Sequence, residues 1–286
     1  MLAQVIVSGL AMGAIYALVA LGHAFVWKTM NIVNFAAGEF VTFSAFIFVA
    51  TFINGFNLNF LLAAFFAAAV MAALGAAFSR IVFARLQNQR VFVAIISTVG
   101  FGLFLKELAR IIYGPQPLYY DGPFGQGAVS LGGVMITYQQ ILIFGVATTI
   151  MVGQYLVLRY SMLGKVMRAT ALDRETAALM GIPVNAVLAG TFAYACVLAA
   201  IAGILMAPLF FVTTEMGTLV GLKGFVAMII GGFGSIPGAI LGGLLLGFSE
   251  NTAAFLISAT YKDAIAFLVL VIRPEGLIPE ANADRA

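Results

Sequence analysis

Long apolar runs separated by short polar breaks set the rhythm of this chain. A membrane-crossing helix needs about 20 mostly apolar residues. Such runs lie at about Gln4–Val26, Asn34–Ile53, Phe60–Phe78, Val91–Tyr113, Gln139–Leu158, Asn185–Met206 and Ala239–Ile257. A shorter one, about Asp263–Ile272, precedes Arg273-Pro274-Glu275-Gly276-Leu277 and a polar tail. Between Phe210 and Leu222 the pattern is irregular, and the run from Lys223-Gly224 breaks at Gly231-Gly232-Phe233-Gly234-Ser235-Ile236-Pro237-Gly238. Irregular backbone at membrane depth is tolerated only where it is buried in protein or lines water. The pattern predicts an all-α polytopic membrane protein with about eight transmembrane helices and broken or re-entrant segments, or about nine if the irregular stretch crosses fully.

One polar island interrupts the oily runs. Over 159–184, Lys165, Arg168, Asp173, Arg174 and Glu175 fall close together. Each charge at a bilayer centre costs about 2.5–3.5 kcal/mol, so five would cost about 12 kcal/mol or more and the segment does not span. Val166, Ala169, Leu172, Thr176 and Leu179 follow helical steps on one face. Gly181 suits a helix end and Pro183 stops continuation. The pattern predicts one amphipathic helix, 165–180, lying outside the membrane against a soluble partner.

The basic residues give the orientation. Lys28, Arg80, Arg85, Arg90, Arg159, Lys165, Arg168, Arg174 and Arg273 fall on one side, with Lys106, Arg110, Lys223 and Lys262 on the other. The excess marks the first side as cytoplasmic, which makes the N-terminus extracytoplasmic and requires the Lys223–Ser235 stretch to return inward. Lys106, Glu107 and Arg110 are expected to form a self-compensating interfacial cluster. The Gly- and Pro-rich loop from Gly114 to Gly133 is expected on the extracytoplasmic side. Gly9 and Gly13, and separately Gly234, Gly238 and Gly242, have the spacing that lets helix backbones approach closely.

Composition sharpens the class. The 286 residues are 63% hydrophobic and 9% charged, against about 25% charged in soluble domains, so one embedded domain over 1–286 is expected. A net charge of +3 spread over short loops is no nucleic-acid signal. Met1-Leu2-Ala3-Gln4 lacks a basic leader region, so the first run is expected to stay in the mature protein. The single Cys196 excludes a disulfide framework. The sequence has no HExxH, GxSxG or Walker A pattern. His23 stands alone in the first run and is read as a packed or hydrogen-bonded residue, since a metal site needs several ligands. No enzyme is predicted. Glu39 and Glu250 fall inside apolar runs, where a carboxylate is expensive and tends to be functional. The plainer reading of Glu39 places it near the interface or pairs it within the bundle.

Several stretches together resemble a family. They are Asn34-Phe35-Ala36-Ala37-Gly38-Glu39-Phe40, Ser97-Thr98-Val99-Gly100, Arg168-Ala169 with Asp173-Arg174-Glu175-Thr176-Ala177-Ala178 and Met180-Gly181-Ile182, Gly224-Phe225 with Gly231-Gly232-Phe233-Gly234-Ser235, Gly238-Ala239, and Arg273-Pro274-Glu275-Gly276-Leu277. In order along nearly the whole chain, they resemble the branched-chain amino acid ABC permeases, LivH-type subunit. The chain departs at Ala37, where many members carry histidine.

The resemblance implies a heteromeric importer of the bacterial cytoplasmic (inner) membrane. Its implied partners are a second, LivM-type permease, two cytoplasmic ATP-binding subunits, an extracytoplasmic substrate-binding protein and membrane lipid. No cofactor is expected on this chain, ATP being used by the partners. The ATPase-coupling residues are expected to be Lys165, Arg168, Ala169, Leu172, Asp173, Glu175, Ala178 and Gly181. The translocation pathway is expected along Asn34, Gly38, Glu39, Gly231, Gly232, Gly234, Ser235 and Glu250. Branched-chain amino acids are the expected substrates, with urea, amides, aromatic acids or sugars as alternatives within the ABC class. An ion-coupled secondary transporter using Glu39 or Glu250 is the rival from outside it.

Overall fold

The computed structural model describes residues 2–83, 85, 91–125, 127–131 and 133–256. The expected last run, Asp263–Ile272, the motif from Arg273 to Leu277, Arg90 and Lys262 lie outside the described residues. Helix α1 spans Leu2–Met30, α2 Ala37–Phe46 and α3 Phe60–Phe78. Two of them continue as wider π-helical turns, α2 through Ile47–Gly55 and α3 through Ser79–Phe83. Helix α4 is Val91–Tyr113, and the strands β1 (Ala128–Leu131) and β2 (Val134–Thr137) follow it. Then come α5 (Tyr138–Tyr160), α6 (Met162–Leu172), α7 (Arg174–Leu179), α8 (Val184–Met206), α9 (Met216–Gly231) and α10 (Ile236–Leu256).

Among the described residues, 7 helices are long and apolar enough to cross a membrane. Each coincides with one of the long apolar runs. Helix α9 has 16 residues; at about 1.5 Å per residue it is some 24 Å long, short of the roughly 30 Å hydrocarbon core. It nevertheless takes the chain back to the basic end, where Ser235 lies beside Lys28 and Arg159, as the basic-residue pattern requires.

Glycine sets the closest helix contacts. Gly9 and Gly13 of α1 meet Gly247 and Gly243 of α10, and a Cβ on Gly13 would sit 2.9 Å from the Gly243 carbonyl oxygen. The rising numbers of one helix meet the falling numbers of the other, so α1 and α10 are antiparallel. The other side of α10 presents Gly238 and Gly242 to Gly231 and Ala227 of α9. Gly234 does not belong to that ladder. It has φ +77° and lies in the turn between α9 and α10, a left-handed conformation that glycine adopts without a steric penalty.

The second run is the main departure from regular helix. The chain turns at Asn31 (φ 57°), and residues 32–34 and 36 run back into the bundle, buried and non-helical. Asn34 and Ala37 share a gap of only about 10 Å³ with Val19, Gly22, His23, Ala195 and Ala199. Those neighbours are mid-length positions of α1 and α8, so α2 starts inside the bundle at Ala37. The sequence expectation of a helix from Asn34 is corrected by three residues, because the Asn34 side chain accepts from the Ala36 backbone N–H (3.1 Å) and holds the local turn.

The Gly- and Pro-rich loop contains structure that periodicity did not indicate. Strands β1 and β2 pair antiparallel from Ala128↔Thr137 to Leu131↔Val134. Gln4 clamps this hairpin to α1, donating to the Met135 carbonyl (2.7 Å) and accepting from its N–H (2.9 Å). Thr137 and Gln140 form a capping box that starts α5. An isolated bridge, Leu118 to Val212, joins this loop to the one after α8. Lys106 does not complete a local cluster with Glu107 and Arg110. It pairs with Glu215 at 2.6 Å, while Arg110 and Glu107 stand 3.8 Å apart; the loop bridge places a better-aimed carboxylate within reach.

Candidate functional site

At the basic end of the bundle, α6 and α7 lie between two spans. Ser161 caps α6, its hydroxyl accepting from Gly164 N–H (3.3 Å). Asp173 then ends α6 and caps α7. Its carboxylate accepts from the N–H groups of Glu175 (2.9 Å) and Thr176 (3.2 Å) and from the Thr176 hydroxyl (2.5 Å). These bonds, the Thr176 hydroxyl first, hold the Asp173 carboxyl below its ordinary range. The single helix expected over 165–180 is thus two helices joined at Asp173. An aspartate that bonds its own downstream amides competes with continued helix. Gly181 does end the second helix, with φ +84°.

The expected apolar face of this segment also divides. Val166 and Ala169 are half-buried and turn toward the spans, as do buried Thr170 and Ala177. Leu172 and Leu179 point away, 84% and 88% exposed, and Met180 beside them is 79% exposed. Lys165, Arg168, Asp173, Glu175, Ala178 and Gly181 are also exposed. The outward surface thus carries three large exposed apolar side chains together with charges of both signs.

Two arginines tie the segment to the spans. Arg168 of α6 donates to the Leu158 carbonyl in the last turn of α5 (2.5 Å). Arg174 of α7 donates to the carbonyl of Met30, the last residue of α1 (3.0 Å). The final carbonyls of a helix lack intrahelical partners and carry its partial negative charge. Each arginine therefore satisfies a helix end and links it to the outward surface. Sequence reasoning noticed Arg174 as a charge but not as a link, because its acceptor lies 144 residues away.

The expected pathway residues fall into three separate places. Asn34, Gly38 and Glu39 lie mid-bundle against the start of α9. A Cβ on Gly38 would come within 2.5 Å of the Gly217 carbonyl oxygen, and Gly217 N–H donates to Thr42 Oγ1 (3.0 Å). Glu39, only 8% exposed, accepts from the Thr218 hydroxyl (2.8 Å). Its Oε2 has no hydrogen-bond partner among the described residues. The reading that buries Glu39 within the bundle holds, with a hydroxyl rather than a cation as its partner. Gly231, Gly232, Gly234 and Ser235 form the turn at the other end of α9. There Gly232 has φ +108° and Ser235 Oγ accepts from Gly238 N–H (3.1 Å).

Glu250 lies in the third place. It is 4% exposed and meets Lys223 Nζ at 2.6 Å, with the Tyr16 hydroxyl 3.5 Å from the same ammonium. Lys223 is therefore a buried counter-ion in α9 and not a charge on the extracytoplasmic side. Nothing in the local sequence joins it to a glutamate 27 residues on, since only the packing of α9 on α10 beyond the glycine turn brings the two together. His23 is buried, with Nε2 3.2 Å from the Gly221 carbonyl oxygen and an edge-on contact to Phe225. It is the packed, hydrogen-bonded residue expected. Among the described residues, no group of three or more His, Cys, Asp or Glu is placed to hold a metal ion.

A long non-spanning segment bound to span ends, in a bundle of apolar helices closed by glycine ladders, is an arrangement suited to transmembrane transport. The family described as "Branched-chain amino acid transport system / permease component" matches residues 5–273. The chain belongs to that family. It is 36% identical to the high-affinity branched-chain amino acid transport system permease protein BraD of Pseudomonas aeruginosa, with 99% of this chain and 97% of that protein covered. To the permease protein LivH of Escherichia coli it is 32% identical, with the same coverage. A more distant relative is the probable branched-chain amino acid transport permease protein LivH of Methanocaldococcus jannaschii, 23% identical over 91% of this chain and 87% of that one. Membership of this permease family makes the chain a multi-pass membrane transport protein, a component of an ABC importer and not an enzyme, and such a component works with partner subunits.

Proposed function

We propose that this permease is the LivH-type subunit of an importer in the bacterial cytoplasmic membrane that moves branched-chain amino acids. Its partners would be a LivM-type permease, two cytoplasmic ATP-binding subunits and an extracytoplasmic binding protein. The chain itself binds no cofactor; ATP is hydrolysed by the partners. The observation that supports coupling most strongly is the pair of arginine links. A partner seated on Leu172, Leu179 and Met180 would move α6 and α7. Arg168 would carry that motion to α5 and Arg174 to α1. Helix α1 packs backbone to backbone on α10, so the two would shift as one body. Closely packed cores move between discrete arrangements more readily than they deform.

The motion has an evident target. Helix α9 contacts α10 and α1 on one side and the Gly38–Glu39 region on the other. Displacing α1 and α10 would therefore alter the mid-bundle site, where Glu39 and Thr218 offer the polar groups of a pathway. The unpaired oxygen of Glu39 favours the rival reading, an ion-coupled carrier. Uptake of leucine into proteoliposomes decides between the two. The importer reading requires uptake only with ATP, the ATP-binding subunits and the binding protein. Uptake driven by a proton or sodium gradient without ATP would establish the carrier.

A further inference from the structure

The start of α9 holds polar groups of two neighbouring helices. Glu215, the residue just before α9, pairs with Lys106 Nζ of α4 at 2.6 Å. Thr218, three residues on and on the same side of the helix, donates to the Glu39 carboxylate of α2 at 2.8 Å. Between these contacts α4 lies directly on α2: a Cβ on Gly102 would come within 3.3 Å of Ala36 Cα and Glu39 Cγ. Gly102 is the middle residue of the 23-residue α4. Glu39 is therefore near the middle of the membrane, and the Lys106–Glu215 pair is one turn nearer the extracytoplasmic end.

Lys106 thus stands between two carboxylates. It lies four residues beyond Gly102 on α4, about 6 Å along the axis. Long side chains of a helix lean toward its N-terminus, here toward Gly102 and Glu39. The ammonium bonds Glu215 instead, and Lys106 and Glu215 both act on Glu39 electrostatically. The pair is partly exposed, with side chains 20% and 70% accessible. Such a pair adds little stability, so it can part at small cost.

Both contacts of α9 break in one movement. If α9 shifts away from α2, Glu215 leaves Lys106 and Thr218 leaves Glu39. An ammonium on α4 and a carboxylate on α2 then lose their partners together, while Gly102 keeps those two helices packed. A lone charge at membrane depth is expensive, and each of the two is the nearest remedy for the other.

We propose that Lys106 is a two-position latch on the extracytoplasmic side of the pathway: it holds Glu215 while α9 lies against α2 and takes Glu39 when α9 moves away. In the first position the Lys106–Glu215 pair bars the way to Glu39 from outside. In the second the bar is withdrawn and the charge of Glu39 is met by the lysine. Each position leaves Lys106 paired, so the latch favours two discrete arrangements over those between them. The inference rests on the movement of α9 in the proposed function, and not on which substrate passes.

The test is thiol labelling of the permease, co-expressed with its partner subunits, in right-side-out membrane vesicles. Leu222 is 43% exposed and lies two turns beyond Glu215 on the same side of α9. Leu222→Cys in a Cys196→Ser background therefore places one thiol beneath the pair, and a membrane-impermeant maleimide added outside reads the open fraction. Glu215→Gln should raise the labelling rate and Glu39→Gln should lower it, each by up to about fivefold, the equilibrium factor of an exposed ion pair. Lys106→Gln should abolish both responses, and Lys106→Arg, which keeps the charge, should retain them. A bridge that only held the helices together would respond to Glu215→Gln alone. Carboxylate variants that shift the rate in the same direction, no shift with Glu39→Gln, or responses that survive Lys106→Gln would each overturn the proposal. Uptake driven by an ion gradient without ATP would overturn the importer and leave the latch standing, because the labelling needs no transport.

Discussion

Two buried carboxylates on the flanks of α9 have opposite surroundings. Glu250 faces Lys223 at 2.6 Å, in the part of the bundle where α1, α9 and α10 touch through glycine. Glu39 is hydrogen-bonded by a threonine hydroxyl and feels Lys106 only at longer range, where α2 begins inside the bundle after an irregular stretch. A buried charge held by an opposite charge belongs to a sealed structure. A buried carboxylate bonded by a hydroxyl and by no cation is costly to keep, and its place beside broken helix suits a path that opens. On the proposed mechanism, the difference separates a part of the bundle that moves as a body from a part built to change.

That contrast can be broken by substitution. Lys223→Met strands Glu250 without its counter-ion and should destabilise the fold by about 3–5 kcal/mol, whereas Lys223→Met with Glu250→Leu should recover most of the loss. Thermal melts of the detergent-solubilised permease read both. Glu39→Gln should change stability by less than about 1 kcal/mol, since the threonine bond can be kept, yet depress leucine uptake strongly. If Glu39→Gln proved as destabilising as Lys223→Met, with uptake intact, the two sites would not differ in kind.

Next in size is the glycine contact. Gly13→Val forces a side chain against the Gly243 backbone and should cost at least about 1–3 kcal/mol. Gly100→Ala, where a Cβ meets nothing within 4 Å, should leave the melting temperature unchanged or raised. A smaller effect belongs to the opposite end. The Lys106–Glu215 pair is partly exposed, with side chains 20% and 70% accessible, so a double-mutant cycle should give about 0.2–1 kcal/mol, falling with salt.

The cap at Asp173 has a pH signature. Its folded-state value is depressed, so its contribution is present above the ordinary aspartate range and is lost as pH falls through the lower folded value. Amide exchange in α7 should therefore stay slow at mildly acidic pH and accelerate below that range. Asp173→Asn should remove the acid transition while retaining most of the cap.

Much of the fold was legible in the chain because length and apolarity decide which segments cross a membrane. The runs at Val91–Tyr113 and Asn185–Met206 match α4 and α8 to within a residue. Glycine spacing at Gly9 and Gly13 pointed to a close helix contact, though not to α10 as the partner. What escaped the sequence was set by long-range geometry. Lys223 looked like a loop charge until α10 brought Glu250 to it. The Lys106–Glu215 pair depended on two loops meeting at Leu118 and Val212. The break at Asp173 was written locally, in Asp-Arg-Glu-Thr, a helix-start signature overlooked because the 3.6-residue periodicity continues across it. The expected pathway residues proved scattered because a run of glycines marks close packing as readily as an opening.

The most direct measurement concerns the segment between α5 and α8. Cys196 is the only cysteine and is buried, so Cys196→Ser provides a background for Leu172→Cys and Leu179→Cys. In ATPase-stripped inverted membrane vesicles both positions should react with a membrane-impermeant maleimide, and adding back the ATP-binding subunits should protect them. In right-side-out vesicles neither should react. Reaction from the outside, or reaction in inverted vesicles that the ATP-binding subunits leave unchanged, would contradict the placement of α6 and α7 as the cytosolic receiver of the ATPase stroke.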